Sequence, residues 1–232
     1  MRNFWVLISA AVLVAAPMLA HAAPPAHVEV AYEISKDGTA LADIVERLEH
    51  GAGRYELVET WKGRGVFALR GAIRRSSRGT VGDEGLRPVE FADERTGRET
   101  ARAKFDWSAK TLTMQYKGDP QTVPLPPNAQ DRLSFLIAFA FLPLGPQPIS
   151  FSVADGGGVS RYVFDVVGRE PVKTPAGEFD AVKLTRRKDG PEDRRSTEIW
   201  LATARGQLPV RVLITEKDGS RLDQLATRIS TP

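Results

Sequence analysis

Asp106 lies between Phe105 and Trp107, and its neighbours make it the acid best placed for chemistry. A carboxylate on a strand beside large apolar groups can have a raised pKa, which general acid–base catalysis needs. With Asp165 it is a nameable pair for an envelope hydrolase that stacks a sugar on Trp. Strand alternation, however, turns Asp106 away from its neighbours and toward solvent. Pairing with Arg87 or Arg95 would then make its role structural. Asp131 has a comparable structural reading, near the positive end of a helix. Arg87, Asp106 and Asp131 are therefore taken as structural polar residues, and no catalytic residue is assigned.

Other chemistries find little support. The 232 residues include no Cys, which excludes thiol catalysis and Cys-ligated zinc or iron–sulfur sites. Beyond the N-terminal leader only His27 and His50 remain, and no G-x-S-x-G or S-x-x-K occurs. Ser77 and Ser160, each near glycine, read as turn and strand-start residues. No H-E-x-x-H or calcium-loop pattern is present, and the acidic run Asp189–Asp193 reads as a solvated turn. Gly156-Gly157-Gly158 lacks a following Lys or helix start, so it reads as a hairpin rather than a phosphate cradle. No metal or cofactor is expected.

The elements that would position these residues are mainly strands. Period-2 alternation recurs in Val28-Val30-Tyr32-Ile34, Tyr55-Leu57-Glu59-Trp61, Leu112-Met114-Tyr116, Tyr162-Phe164-Val166 and Leu208-Val210-Val212-Ile214. That spacing marks strands with one buried and one wet face. Gly-centred turns at Gly38, Gly63, Gly190 and Gly219 separate them, which favours consecutive antiparallel hairpins. Residues 40–49 fit either period, and hairpin chemistry on both sides favours strand. One apolar stretch differs. Asn128 is a candidate N-cap, Leu133 to Leu142 is almost wholly apolar, and Pro143 is a stop, so the spacing predicts a helix near 129–142. A helix apolar on nearly every side must be covered on nearly every side. The expected fold is mainly β: a single curved antiparallel meander sheet, an open or half barrel, wrapped around that helix.

The first 22 residues read as a cleaved signal peptide. Arg2 precedes an apolar run from Phe4 to Leu19, and Ala20-His21-Ala22 is an A-x-A cleavage site. Residues 23–232 are expected to form one domain, free in the periplasm with no further membrane span. No Cys follows the cleavage site, so a lipoprotein anchor is not expected. The whole chain carries 32 basic and 29 acidic residues. Losing Arg2 with the leader leaves a small positive excess, too weak to steer the protein to nucleic acid. Two Arg clusters, Arg70-Arg74-Arg75-Arg78 and Arg186-Arg187-Lys188 with Arg194-Arg195, suit solvated strand faces, or an anionic envelope surface as partner.

Several ordered motifs carry a family resemblance: Gly85-Leu86-Arg87-Pro88 with Phe91, Lys104-Phe105-Asp106-Trp107, and Leu125-Pro126-Pro127 leading to Gln130-Asp131-Arg132-Leu133-Ser134-Phe135. Thr174-Pro175-Ala176-Gly177-Glu178-Phe179, Ile199-Trp200-Leu201-Ala202 and Leu208-Pro209-Val210-Arg211 continue it. Across about residues 28–228 the chain resembles the bacterial family DUF3108. The resemblance implies a secreted or periplasmic, mostly antiparallel β protein and supplies no catalytic residues. The architecture is also similar to open β-barrels that carry lipids or lipoproteins.

The functional expectation is a non-enzymatic envelope protein. A half-open barrel could hold an apolar small molecule, a lipid or a lipidated partner against Trp61, Phe91, Trp107, Leu136 and Phe139. In the alternative the helix fills the barrel, the aromatics are ordinary core, and the role is structural or protein-binding. The ligand, the partner and the oligomeric state are not specified by the sequence.

Overall fold

The computed structural model describes residues 24–231; the signal peptide and cleavage site expected from the sequence lie outside the described residues. The N-terminal half supplies β1 (His27–Lys36), β2 (Thr39–Gly51), β3 (Arg54–Gly63), β4 (Ile73–Gly82), β5 (Gly85–Arg95), β6 (Ala101–Asp106), β7 (Thr111–Gln115) and β8 (Gln121–Pro124). After β9 (Ala129–Asp131) comes the single α-helix among the described residues, α1 (Ser134–Ala138), extended by a 3-10 turn at Phe139–Phe141. The C-terminal half supplies β10 (Ile149–Ala154), β11 (Val159–Thr174), β12 (Gly177–Arg186), β13 (Ser196–Ala202), β14 (Leu208–Thr215) and β15 (Arg221–Ser230).

All fifteen strands form one sheet, in the order β8 to β1 and then β15 to β9. β1 and β15 therefore meet in the middle, and the two halves are meanders running outward from that antiparallel pair. The link from β8 to β9 joins the opposite edges of the sheet, yet only residues 125–128 separate the two strands. Five extended steps reach roughly 17 Å, whereas fifteen flat strands at about 4.8 Å would span nearly 70 Å. The sheet must therefore curl until its edges are neighbours. Register shifts within the β1–β15, β4–β5, β11–β12 and β13–β14 pairs mark bulges, which add twist and bend. At the β4–β5 bulge only glycine fits. A Cβ on Gly79 would stand 2.1 Å from the Arg87 carbonyl oxygen.

The curled sheet encloses α1. Ile137, Ala138, Phe139 and Ala140 are essentially inaccessible, and Phe139 meets Phe151 and Phe164 edge-on, each at 5.2 Å between ring centres. The expected helix near 129–142 is thus shorter than its apolar sequence implies. Ala129–Asp131 pairs in parallel with Ser152–Ala154, the one departure from an antiparallel meander. Asn128 has φ +50° and leads into that strand instead of capping a helix. The Asp131 carboxylate takes the capping role, with Oδ1 accepting the backbone N–H groups of Leu133 and Ser134, both at 2.8 Å. Residues 40–49 are strand, within β2, and Gly156–Gly158 lies in the β10–β11 hairpin turn.

Candidate binding site at the seam of the sheet

The curl brings the edge strand β9 against β4 and β5, and side chains clasp this seam. Ser77, on β4, donates its hydroxyl to Asp131 Oδ2 at 2.5 Å. The single Ser77 proton is thereby used, so the Tyr55 hydroxyl, 2.8 Å away, is the donor to Ser77 Oγ. Gln130 Nε2 donates to the Leu86 carbonyl of β5 at 2.7 Å, and its Oε1 accepts from Ser134 Oγ at 2.8 Å. Asp131 is wholly buried, and burial pushes its carboxyl up to about 6 despite the bonds that favour the ionised form. Ser77 is therefore not a turn residue. It sits mid-strand on the inner face, where its hydroxyl meets Asp131.

Beside this clasp lies a groove of about 530 Å3, within the size range of small-molecule sites. Leu86, Leu142, Ile149 and Phe151 supply apolar lining, Trp107 and Arg87 border it, and Glu84, Asn128, Gln130 and Ser150 add polar groups. The Trp107 indole is fixed at both ends. Its Nε1 donates to the Pro88 carbonyl at 2.7 Å, and the Arg87 guanidinium lies over the ring, 5.3 Å from its centre. Arg87 also pairs with exposed Glu84. The groove thus offers apolar surface, a half-buried indole, and a cation already paired with a carboxylate at the rim.

The other residues singled out from the sequence lie elsewhere. Phe91 and Phe139 are in the core. Leu136 is half-buried and packed on that core, outside the groove lining. Trp61 is also half-buried, with Arg75 5.2 Å from its ring centre, and its Nε1 has no hydrogen-bond partner. Asp106 does not pair with Arg87 or Arg95. Its Oδ1 accepts from the backbone of Ser108 and Ala109 and from Ser108 Oγ, which closes the β6–β7 turn and holds its pKa below the usual range. Asp165 is held by Arg187 at 2.7 Å, so the two acids serve separate partners.

A second interior feature escaped the sequence reading. Glu46, Glu59, Arg75 and Asp93 stand directly opposite one another across β2, β3, β4 and β5. All four are buried. Arg75 bridges Glu59 at 2.8 Å and Asp93 at 3.2 Å, and Arg95 adds a two-pronged pair to Asp93. Burial disfavours the Asp93 anion, but Arg95 and Arg75 outweigh it and hold the carboxyl below its ordinary value. Glu46 ends the row with no cation of its own. Burial first, then the Glu59 charge, push it to about 8, so it is neutral at physiological pH. The signal was available: Glu46 and Glu59 occupy inward positions of strands otherwise apolar on that face. The sequence clusters of Arg dissolve in the same way, with Arg75 inward and Arg78 outward, paired with Glu90.

Fold and seam together define a one-sheet, curled β protein closed around a short apolar helix. The chain belongs to the family described as Protein of unknown function (DUF3108), whose model matches residues 28–225. No curated protein matches it significantly. Among solved structures it is similar to a protein of Bacteroides fragilis provisionally described as exported, with a YmcC-like fold. That likeness has a TM-score of 0.40 and 13% identity, covering 90% of this chain and 100% of the other. It is also similar to a provisionally described lipoprotein of Parabacteroides distasonis (TM-score 0.33, 11% identity, 88% of this chain and 95% of the other).

Proposed function

We propose that this protein is an exported, non-enzymatic envelope protein that holds an apolar or amphipathic chain, from a lipid or a lipidated partner, in the seam groove. The observation that carries the reading is the groove itself. Aliphatic side chains from β5, β10 and the segment after α1 line a groove bordered by a pinned Trp107, and Arg87, paired with Glu84, is the cation an anionic head would meet. The leader pattern at residues 1–22 supports export to the periplasm. The interior beside α1 is filled by Phe139, Phe151 and Phe164, so the groove, and not the barrel centre, is the place for a ligand.

The test is native mass spectrometry of residues 23–232 purified from the periplasm without detergent, with solvent extraction of the same sample. A reproducible adduct of lipid mass, lost in Trp107→Ala, is the expected result. A bare protein mass with nothing extractable would overturn the proposal.

A further inference from the structure

Between β3 and β4 the chain makes a 3-10 turn, Gly65–Arg70, at one end of the curled sheet. It holds the two most solvent-exposed large apolar residues among the described residues: Val66 is 74% and Leu69 89% exposed. The remaining exposed large apolar residues are three valines on strands or beside turns, none above 62%. Val66 and Leu69 are three residues apart, and side chains at that spacing eclipse in a 3-10 helix. They therefore project from one face as an adjacent pair.

The turn is built to stay in place. Arg64 donates its N–H to the Leu41 carbonyl at 2.8 Å, and its guanidinium holds Asp43 at 2.5 Å and Glu33. A Cβ on Gly63 would lie 2.4 Å from the Phe67 carbonyl oxygen, so only glycine lets the turn fold back on β3. At the far end Gly71, at φ +79°, packs against Thr96, and Ala72 N–H donates to Thr96 Oγ1 at 3.0 Å. An exposed apolar pair on a floppy loop would be unremarkable, but this one is braced at both ends.

The surroundings say what it meets. From residue 60 to residue 82 the chain contains six cations and no carboxylate, and four of them, Arg64, Arg74, Arg75 and Arg78, pair with acids from outside the segment. Lys62 before the turn, and Arg98 in the loop that packs on Gly71 through Thr96, make no ion pair among the described residues. A convex aliphatic tip beside the unpaired Lys62 and Arg98 has the chemistry of an interfacial anchor, which sinks apolar side chains among acyl chains while cations meet lipid phosphates.

We infer that Val66 and Leu69 form a docking tip that seats this protein on an anionic phospholipid surface. The inference stands apart from the seam groove. Residues 23–232 would be floated with vesicles of phosphatidylethanolamine and phosphatidylglycerol, and in parallel with phosphatidylcholine vesicles. Wild-type protein should float with the anionic vesicles and less with the neutral ones. Leu69→Asp should weaken flotation about tenfold or more, the order expected from losing one inserted aliphatic side chain. Its melting temperature should stay at the wild-type value, because the side chain contacts little of the fold. Val167→Ala, at an exposed valine on β11, is the control and should float normally. Failure of wild type to float, or flotation of Leu69→Asp equal to wild type, would overturn the inference. So would a concentration-dependent dimer in sedimentation that Leu69→Asp abolishes, since the tip would then cover a second copy. Leu69→Asp should keep any lipid bound in the groove and Trp107→Ala should still float, so failure of one reading leaves the other testable.

Discussion

Replacing Glu46 with Gln tests whether the interior row holds a neutral carboxyl at its end. Burial and the opposing Glu59 charge raise Glu46 from 4.5 to about 8. The folded state then holds this proton more tightly than the unfolded chain does. The group's contribution is complete below the unfolded pKa of 4.5, falls as pH rises from there toward 8, and levels off above. One pKa unit corresponds to about 1.4 kcal/mol, so the whole swing is on the order of 4–5 kcal/mol. Roughly half of it, about 2–3 kcal/mol, falls between about pH 6 and pH 8. Asp131 titrates with the same sign, but its carboxyl, pushed to about 6 by burial, loses its contribution mainly below that window. Gln keeps the shape of the neutral acid and cannot ionise. Urea midpoints would be compared for wild type and Glu46→Gln near pH 6 and pH 8. The variant should already lead near pH 6, and its lead should widen by about 2–3 kcal/mol on going to pH 8. Titrating groups that do not interact with Glu46 cancel in the difference. Parallel pH dependences for the two proteins would refute the neutral Glu46.

Asp131→Ala should cost about 3 kcal/mol, because it strips the cap from α1 and leaves the buried Ser77 hydroxyl without its acceptor; a loss under about 1 kcal/mol in urea unfolding would argue against the clasp. Gly79→Ala should destabilise by about 2 kcal/mol or more through overlap with the Arg87 carbonyl. Gly145→Ala, with open space around its added Cβ, is the matched control and should be near neutral in the same melt.

The strands were legible because their cause is local. One-face burial imposes period 2, and Val28-Val30-Tyr32 and Leu208-Val210-Val212 display it in the chain itself. The helix was legible only in part. Leu133 to Leu142 is apolar enough for a helix, but Ala129–Asp131 was claimed by backbone pairing with β10, more than twenty residues further on. No local pattern announces such a bond. Glu46 and Glu59 were visible as acids on an apolar face, yet their meaning required Arg75 and Asp93 from two further strands.

By itself the sequence determined the class: a chain of alternating strands and glycine turns, cysteine-free, with one apolar stretch that must be enclosed. Tertiary structure alone decided where the enclosure closes. The short link from β8 to β9 pulls opposite sheet edges together, and that closure brings Ser77 to Asp131, Gln130 to Leu86, and Trp107 to the groove shared with Phe151. These partners lie 44 to 54 residues apart. Residue pattern encodes which face of a strand is buried, but only the curvature of the whole sheet sets which buried faces meet.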